Sequence, residues 1–222
     1  MALSKLSAPV YSIADIGGYR SRAEIITQYG ISAEYTAVNS STAWYGPEEI
    51  DVQCSGENVP LPDNSYDAVI SVDTLEHIES KGRKQVISEM CRLSRNFVVV
   101  VVPFLGSSLK MDEEILLEIT RSGGICDMPS LLEHTQFGLP ELDDLKEYAD
   151  QFDLSIEPAT PRRLYWAGQL AMAINHVSLG NGALDVNEKV LIWQEKYLQT
   201  CPKPVDFSDA YRAVMYKGGV PE

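Results

Sequence analysis

The chain has 222 residues, 45% of them apolar, and a formal net charge of −14 (18 Lys and Arg against 32 Asp and Glu). That length and apolar content suit one α/β domain with a proper core, read as a single domain over 1–222 with a helical insertion near 163–205 before the last strand. So acidic a surface repels phosphate backbones and anionic headgroups, which excludes nucleic acid and membrane as expected partners. No apolar run approaches the roughly 20 residues a bilayer requires, and the amino terminus carries no signal-peptide core, so a cytoplasmic protein is expected.

Residues 10–16 form a short apolar run ending in Gly17-Gly18, the pattern of a buried strand feeding a tight turn. Residues 22–29 have helical spacing and Gly30 stops them. Strands are expected at 34–38 and, shorter, at 50–53. A Pro60, Pro62, Asp63, Asn64 turn precedes a clear fourth strand at 66–72. A short helix begins at 74–78, and a better one at 85–93 carries Val86, Ile87, Met90 and Leu93 on one stripe. The unbroken valines of 96–102 imply a strand buried on both faces, as in the middle of a parallel sheet. Beyond them, 141–152 reads as a helix and 154–157 as a strand. Helices at 164–177 and 186–198 flank a Gly-rich turn at 179–182, and 210–216 reads as the final strand. This alternation predicts an α/β fold, a Rossmann-like doubly wound, mostly parallel sheet with a C-terminal antiparallel strand and a helical insertion.

Cys54, Cys91, Cys126 and Cys201 are scattered without a CxxC pair, so neither a disulfide framework nor a zinc site is expected. Cys54 and Cys91 read as buried core thiols. The small basic groups at 81–84 and 162–163 read as solvated surface or local ion-pair partners.

Gly17 and Gly18 let the backbone turn sharply and approach a ligand without Cβ interference. Open α/β sheets bind ligands beyond the carboxyl ends of their strands, where strand order reverses. Asp15 ends the first strand there. Asp15-Ile-Gly-Gly18, the stretch 57–67 (ENVPLPDNSYD) and 68–78 (AVISVDTLEHI) resemble the class I methyltransferases, notably the ubiquinone and menaquinone C-methylase group. His134-Thr-Gln-Phe137 followed by Pro140-Glu-Leu142 is similar to that group's segment after the fifth strand. The resemblance runs from about residue 10 to 152. It implies an S-adenosylmethionine-dependent enzyme with the cofactor held by Asp15, Gly17, Gly18, Tyr19, Asn39, Ser55, Gly56, Glu57 and Asp73.

The chain departs from the family pattern in three places. Tyr19 and Ser21 stand where further glycines are common. Asn39 ends the second strand in place of an acid that accepts the ribose hydroxyls, and can still accept one hydrogen bond and donate another. Cys54-Ser55-Gly56 replaces a common Gly-Asp-Ala, leaving Ser55 or backbone groups to meet the adenine.

Methyl transfer needs an acceptor in line with the sulfonium, and a base only for a weak nucleophile. Asp73, Glu76, His77 and His134 are the candidate catalytic residues, with helix-terminal polarity as the plain alternative for Glu76 and local packing for His77. His134, among polar neighbours, is expected in an exposed loop as an acceptor-side base or donor. Phe137, Tyr165 and Trp166 are candidates for an acceptor pocket. Asp73-x-x-Glu76-His77 with a distant His134 also resembles a divalent-metal set that would suit Mg, Mn or Zn; Leu-Glu-His is common in this fold without metal, and no metal is assigned.

The leading expectation is a methyltransferase acting at O, N or C of a small-molecule acceptor. The alternative is a degenerate, non-catalytic member that binds a ligand or partner. A nicotinamide oxidoreductase comes last, because Gly17-Gly18 lacks GxGxxG spacing and no acid ends the second strand. The 164–198 helices are open to two roles, capping the site or forming a homodimer face.

Overall fold

The computed structural model describes residues 9–41, 46–106, 114–116, 118–119, 129–162, 167–168, 170–171, 174, 189–190, 192, 196 and 204–218. The expected helices at 164–177 and 186–198, their glycine turn, Tyr165, Trp166, Cys126 and Cys201 lie wholly or largely outside these residues.

Seven strands form one sheet: β1 (Ser12–Ile16), β2 (Glu34–Asn39), β3 (Val52–Gln53), β4 (Tyr66–Val72), β5 (Ser94–Pro103), β6 (Ser155–Pro161) and β7 (Ala210–Lys217), in the order β3-β2-β1-β4-β5-β7-β6. The pairs β1–β2, β1–β4, β2–β3 and β4–β5 are all parallel, and the sheet is mostly parallel with its antiparallel part at the C-terminal end. The expected Rossmann-like doubly wound architecture is therefore present. Helices α1 (Arg22–Gln28), α2 (Ser80–Leu93), α3 (Pro129–Phe137) and α4 (Leu142–Gln151) are described.

The elements follow from their apolar patterning. β5 buries Phe97, Val98, Val99 and Val100, side chains that alternate between the two faces, as its valine run requires of a central strand. α2 begins at Ser80, five residues before the apolar stripe suggests, because its first turn is polar. Its buried face nonetheless holds Val86, Ile87, Met90 and Leu93 as expected, and it packs on β4. The third strand is shorter than expected, because Pro47–Glu49 forms a 3-10 turn that delays entry into the sheet.

By internal contacts the chain falls into two compact units. The first comprises Met1–Val102, Leu145–Ile156 and Val214–Glu222; the second comprises Pro103–Asp144 and Glu157–Ala213. One core cluster of the first unit gathers Ile13, Ile26, Ala68, Ile70, Phe97 and Val99, with Tyr35, Val214 and Tyr216 packed against it. In the second, Leu139, Tyr211 and Leu105 cluster, and Phe104 meets Phe207 edge to face at 5.8 Å. No described helix is long and apolar enough to cross a membrane.

The amino ends of β1 and β4 are tied by Asp67, whose Oδ2 accepts from Tyr11 N (3.0 Å), Ser12 N (3.1 Å) and Ser12 Oγ (3.2 Å) while Oδ1 meets Arg95. Burial works against ionisation here, but the Tyr11 amide, Arg95 and Ser12 outweigh it and hold the carboxyl below its ordinary value. A lowered folded pKa contributes stability above the unfolded value, about 3.9, and loses it as pH falls through the folded one. Asp67→Asn is therefore expected to flatten the loss of stability as pH falls below about 4, which urea unfolding across the acid range checks.

Candidate functional site

The strand order reverses between β1 and β4, and the carboxyl ends of β1, β2 and β4 present Gly17-Gly18, Asn39 and Asp73 respectively. Gly17 has φ +82°, in the left-handed region, and donates its N–H to Val38 O at 2.7 Å. A Cβ at Gly17 would collide with the Thr74 side chain, and one at Gly18 with the Asp15 carboxyl, so both positions need glycine.

Asp15, 0% exposed, lies beneath this turn. Its Oδ2 accepts from the Tyr35 hydroxyl at 2.6 Å and from Arg22 Nη1 at 2.9 Å, while Oδ1 is buried with no donor among the described residues. Burial raises the Asp15 carboxyl pKa, and Arg22 and Tyr35 oppose the rise. Burial and the neighbouring carboxylate also drive the Tyr35 hydroxyl pKa up, so it stays a donor. The Arg22 guanidinium in turn stands over the Tyr19 ring, 5.6 Å from its centroid. A bulky residue where the family favours glycine is thus braced by a cation held from below.

Asn39 is half-buried and is spent locally. Its Nδ2 donates to Gly18 O at 3.4 Å and its Oδ1 accepts from Ser41 N at 3.2 Å. The residue expected to meet a ribose therefore also fastens the glycine turn. Downstream, Arg20 N donates to Glu49 O (2.9 Å), Ser21 N to Glu49 Oε2 (2.7 Å) and Arg20 Nε to Asp51 Oδ1 (2.7 Å). The second Asp51 oxygen accepts from Ala37 N at 2.8 Å. The Glu49 and Asp51 carboxylates, just before β3, are thereby committed to backbone amides of the loop and of β2 and to Arg20.

Ser55 and Glu57 are exposed, and Gly56 packs near Ile16 and Val86. Ser55 Oγ accepts from Glu57 N at 3.2 Å, and the Glu57 carboxyl lies against Gly82, on the first turn of α2.

Asp73 is half-buried with φ +51°, a rare conformation for a residue with a side chain, and donates its N–H to Val101 O at 2.9 Å. Leu75–His77 is a 3-10 turn, with Glu76 buried and His77 half-buried. His77 Nε2 lies 4.0 Å from Glu76 Oε1. Arg83, in a basic group expected as solvated surface or local ion-pair partners, is 2% exposed. Its Nε donates to Leu75 O and Ile78 O, both at 3.0 Å, so a buried cation clamps the turn that carries Glu76 and His77. In the second unit, His134 is buried on α3 rather than in an exposed loop. Pro129 opens that helix and Gly138, at φ +70°, closes it, signals that a reading of its polar residues as loop overlooked. Cys54 and Cys91 are free and half-buried rather than fully buried, with burial raising both thiol pKa values.

Sequence reasoning missed Arg22, Tyr35, Ser71 and Thr74. An arginine seven residues after the strand-end acid was a readable cue for a partner of Asp15. Tyr35, on the neighbouring strand, becomes visible only with the β1–β2 register, in which Ala37 stands beside Asp15 and Tyr35 two residues before it.

Residues 17–102 match the methyltransferase-domain family. No curated protein sequence matches the chain. Among solved structures, an S-adenosylmethionine-dependent methyltransferase from Archaeoglobus fulgidus is 15% identical with a TM-score of 0.55, over 98% of this chain and 89% of that one. The [4+2]-cyclase SpnF is 15% identical with a TM-score of 0.55, over 99% and 80%. Phosphoethanolamine N-methyltransferase 2 of Haemonchus contortus, solved with phosphomonomethylethanolamine and S-adenosylhomocysteine, is 16% identical with a TM-score of 0.54. It aligns over all of this chain, which spans about half (52%) of its length.

Proposed function

We propose that this chain, which has the fold of the class I S-adenosylmethionine-dependent methyltransferases, binds that cofactor at the ends of β1, β2 and β4 and methylates a small-molecule acceptor. The observation that carries the reading is the left-handed Gly17 turn, pressed against Thr74 at the strand-order reversal, with a buried Asp15 oxygen beneath it that has no donor among the described residues. A backbone approach and an uncompensated acceptor fit the amino-acid end of the cofactor, its ammonium reaching Asp15 through water. Asn39 fits the ribose end through the acceptor capacity left on its Oδ1, and Ser55, Gly56 and Glu57 border the adenine end. When bound, S-adenosylmethionine supplies an electrophilic methyl group on a sulfonium.

The chain's own residues contribute position and proton handling. Tyr19, its ring braced by Arg22, narrows the site or stacks over the cofactor. Asp73, at the end of β4, orients the acceptor and takes a hydrogen bond or a proton from it. His77 offers a second proton carrier, with Glu76 acting through it from a buried position. His134 enters the proposal by its chemistry alone, as a base or donor of the second unit.

A second reading has its own support. Asn39 is committed to Gly18 and Ser41, and a cyclase shares the fold, so a member that no longer transfers methyl groups is physically reasonable. Incubation with methyl-labelled S-adenosylmethionine and fractionated small-molecule extracts separates the two. Label in a small product, lost in Asp73→Ala, is expected. Tight cofactor binding with no transfer to any fraction would favour the second reading.

A further inference from the structure

We propose that Ser71 and Thr74 are positioning residues whose two hydroxyls converge on the Ile16 carbonyl and lock the end of β4 to the glycine turn. The β1–β4 ladder ends at Asp15↔Ile70, so Ile16 O lies one residue past the last backbone register on that side. Ser71, 1% exposed, takes over by donating its Oγ to Ile16 O at 2.9 Å. Thr74 Oγ1 reaches the same oxygen at 3.2 Å, sharing its proton with Val72 O at 3.3 Å. A carbonyl oxygen can accept two hydrogen bonds, and two side-chain hydroxyls from the end of β4 lie within hydrogen-bond distance of this one.

The consequence lies in what else Thr74 touches. Its side chain fills the space where a Cβ on Gly17 would stand, so the left-handed turn is determined from both the backbone and the packing side. Asp73, the preceding residue, is itself left-handed and tied to β5 through Val101 O. Moving Thr74 therefore moves the glycine turn and the Asp73 turn together. One hydroxyl keeps the ligand-approaching backbone of β1 in register with the acid on β4. The link to ligand affinity rests on the cofactor reading above; the mechanical coupling does not.

Amide hydrogen exchange on the free protein, with S-adenosylhomocysteine affinity measured beside it, tests the assignment. Thr74→Val keeps the side chain's shape and removes the hydroxyl, whereas Thr74→Ser keeps the hydroxyl. The Gly17 amide, bonded to Val38 O, is expected to exchange about tenfold faster in Thr74→Val, with a comparable loss of affinity and unchanged exchange at Val98, Val99 and Val100. Thr74→Ser is expected to stay within about twofold of the parent chain. Parent-like exchange at Gly17 in Thr74→Val, or equal impairment in Thr74→Ser, overturns the proposal. If Thr74→Val does not fold, Ser71→Ala carries the same readouts. If the parent chain binds no S-adenosylhomocysteine, the cofactor reading falls while exchange at Gly17 still decides the coupling.

Discussion

Arg22→Met is expected to cost about 3 kcal/mol of stability in urea unfolding at neutral pH, because it strips the cation from a wholly buried carboxylate. The figure belongs at the low end for a buried pair, since Arg22 keeps a quarter of its side chain in solvent (25%). Burial already holds the Asp15 carboxyl above its ordinary value, and removing Arg22 raises it further. A carboxyl with a raised folded pKa has its stability intact below the unfolded value of about 3.9 and loses it as pH rises through the folded value. The variant's deficit should therefore be full at neutral pH and shrink toward pH 4. Adding Asp15→Asn should recover much of the neutral-pH loss, as the uncompensated charge then disappears. A deficit independent of pH and untouched by the second substitution would mean that Arg22 acts by packing against Tyr19 alone.

Gly17→Val is expected to combine two penalties. A β-branched residue at φ +82° is strained by about 1–3 kcal/mol, and the new side chain must displace Thr74. The turn would reshape, and affinity for S-adenosylhomocysteine should fall by about a hundredfold or more. Gly30→Ala is the matched control. Gly30 also has a positive φ, +78°, but nothing lies within 4 Å of its added Cβ. It should lose about 1 kcal/mol of stability by backbone strain and leave ligand affinity unchanged. Equal affinity losses in both variants would show that left-handed strain, rather than the loop at β1, governs binding.

Much of the fold was legible because its signals are local and periodic. The valine run of β5, the alternation of strands and helices, and the stripe on α2 each reflect burial that repeats along the chain. The start of α2 was not legible, because Ser80 to Lys84 carries no apolar residue to extend the stripe. The same polar run concealed Arg83, whose burial depends on carbonyls of Leu75 and Ile78 that only the folded turn brings to it.

The candidate site was legible at its backbone and obscure at its side chains. Gly17 and Gly18 announced a turn by residue type. Asn39 was readable as a weakened ribose contact, but not as a fastener of Gly18, because that bond spans two strand ends. The sharing of Asp15 between Tyr35 and Arg22, and of Ile16 O between Ser71 and Thr74, likewise depends on strand register. His134 shows the opposite limit: polar neighbours at 133, 135 and 136 suggested solvent, yet the helix buries the His134 side chain while leaving Gln136 exposed.

Calorimetric titration of the intact chain with S-adenosylhomocysteine tests the central claim most directly. Saturable one-to-one binding, weakened about a hundredfold or more by Gly17→Val and retained by Gly30→Ala, is the predicted result. Absence of any binding heat at millimolar ligand, with the protein folded, would contradict it.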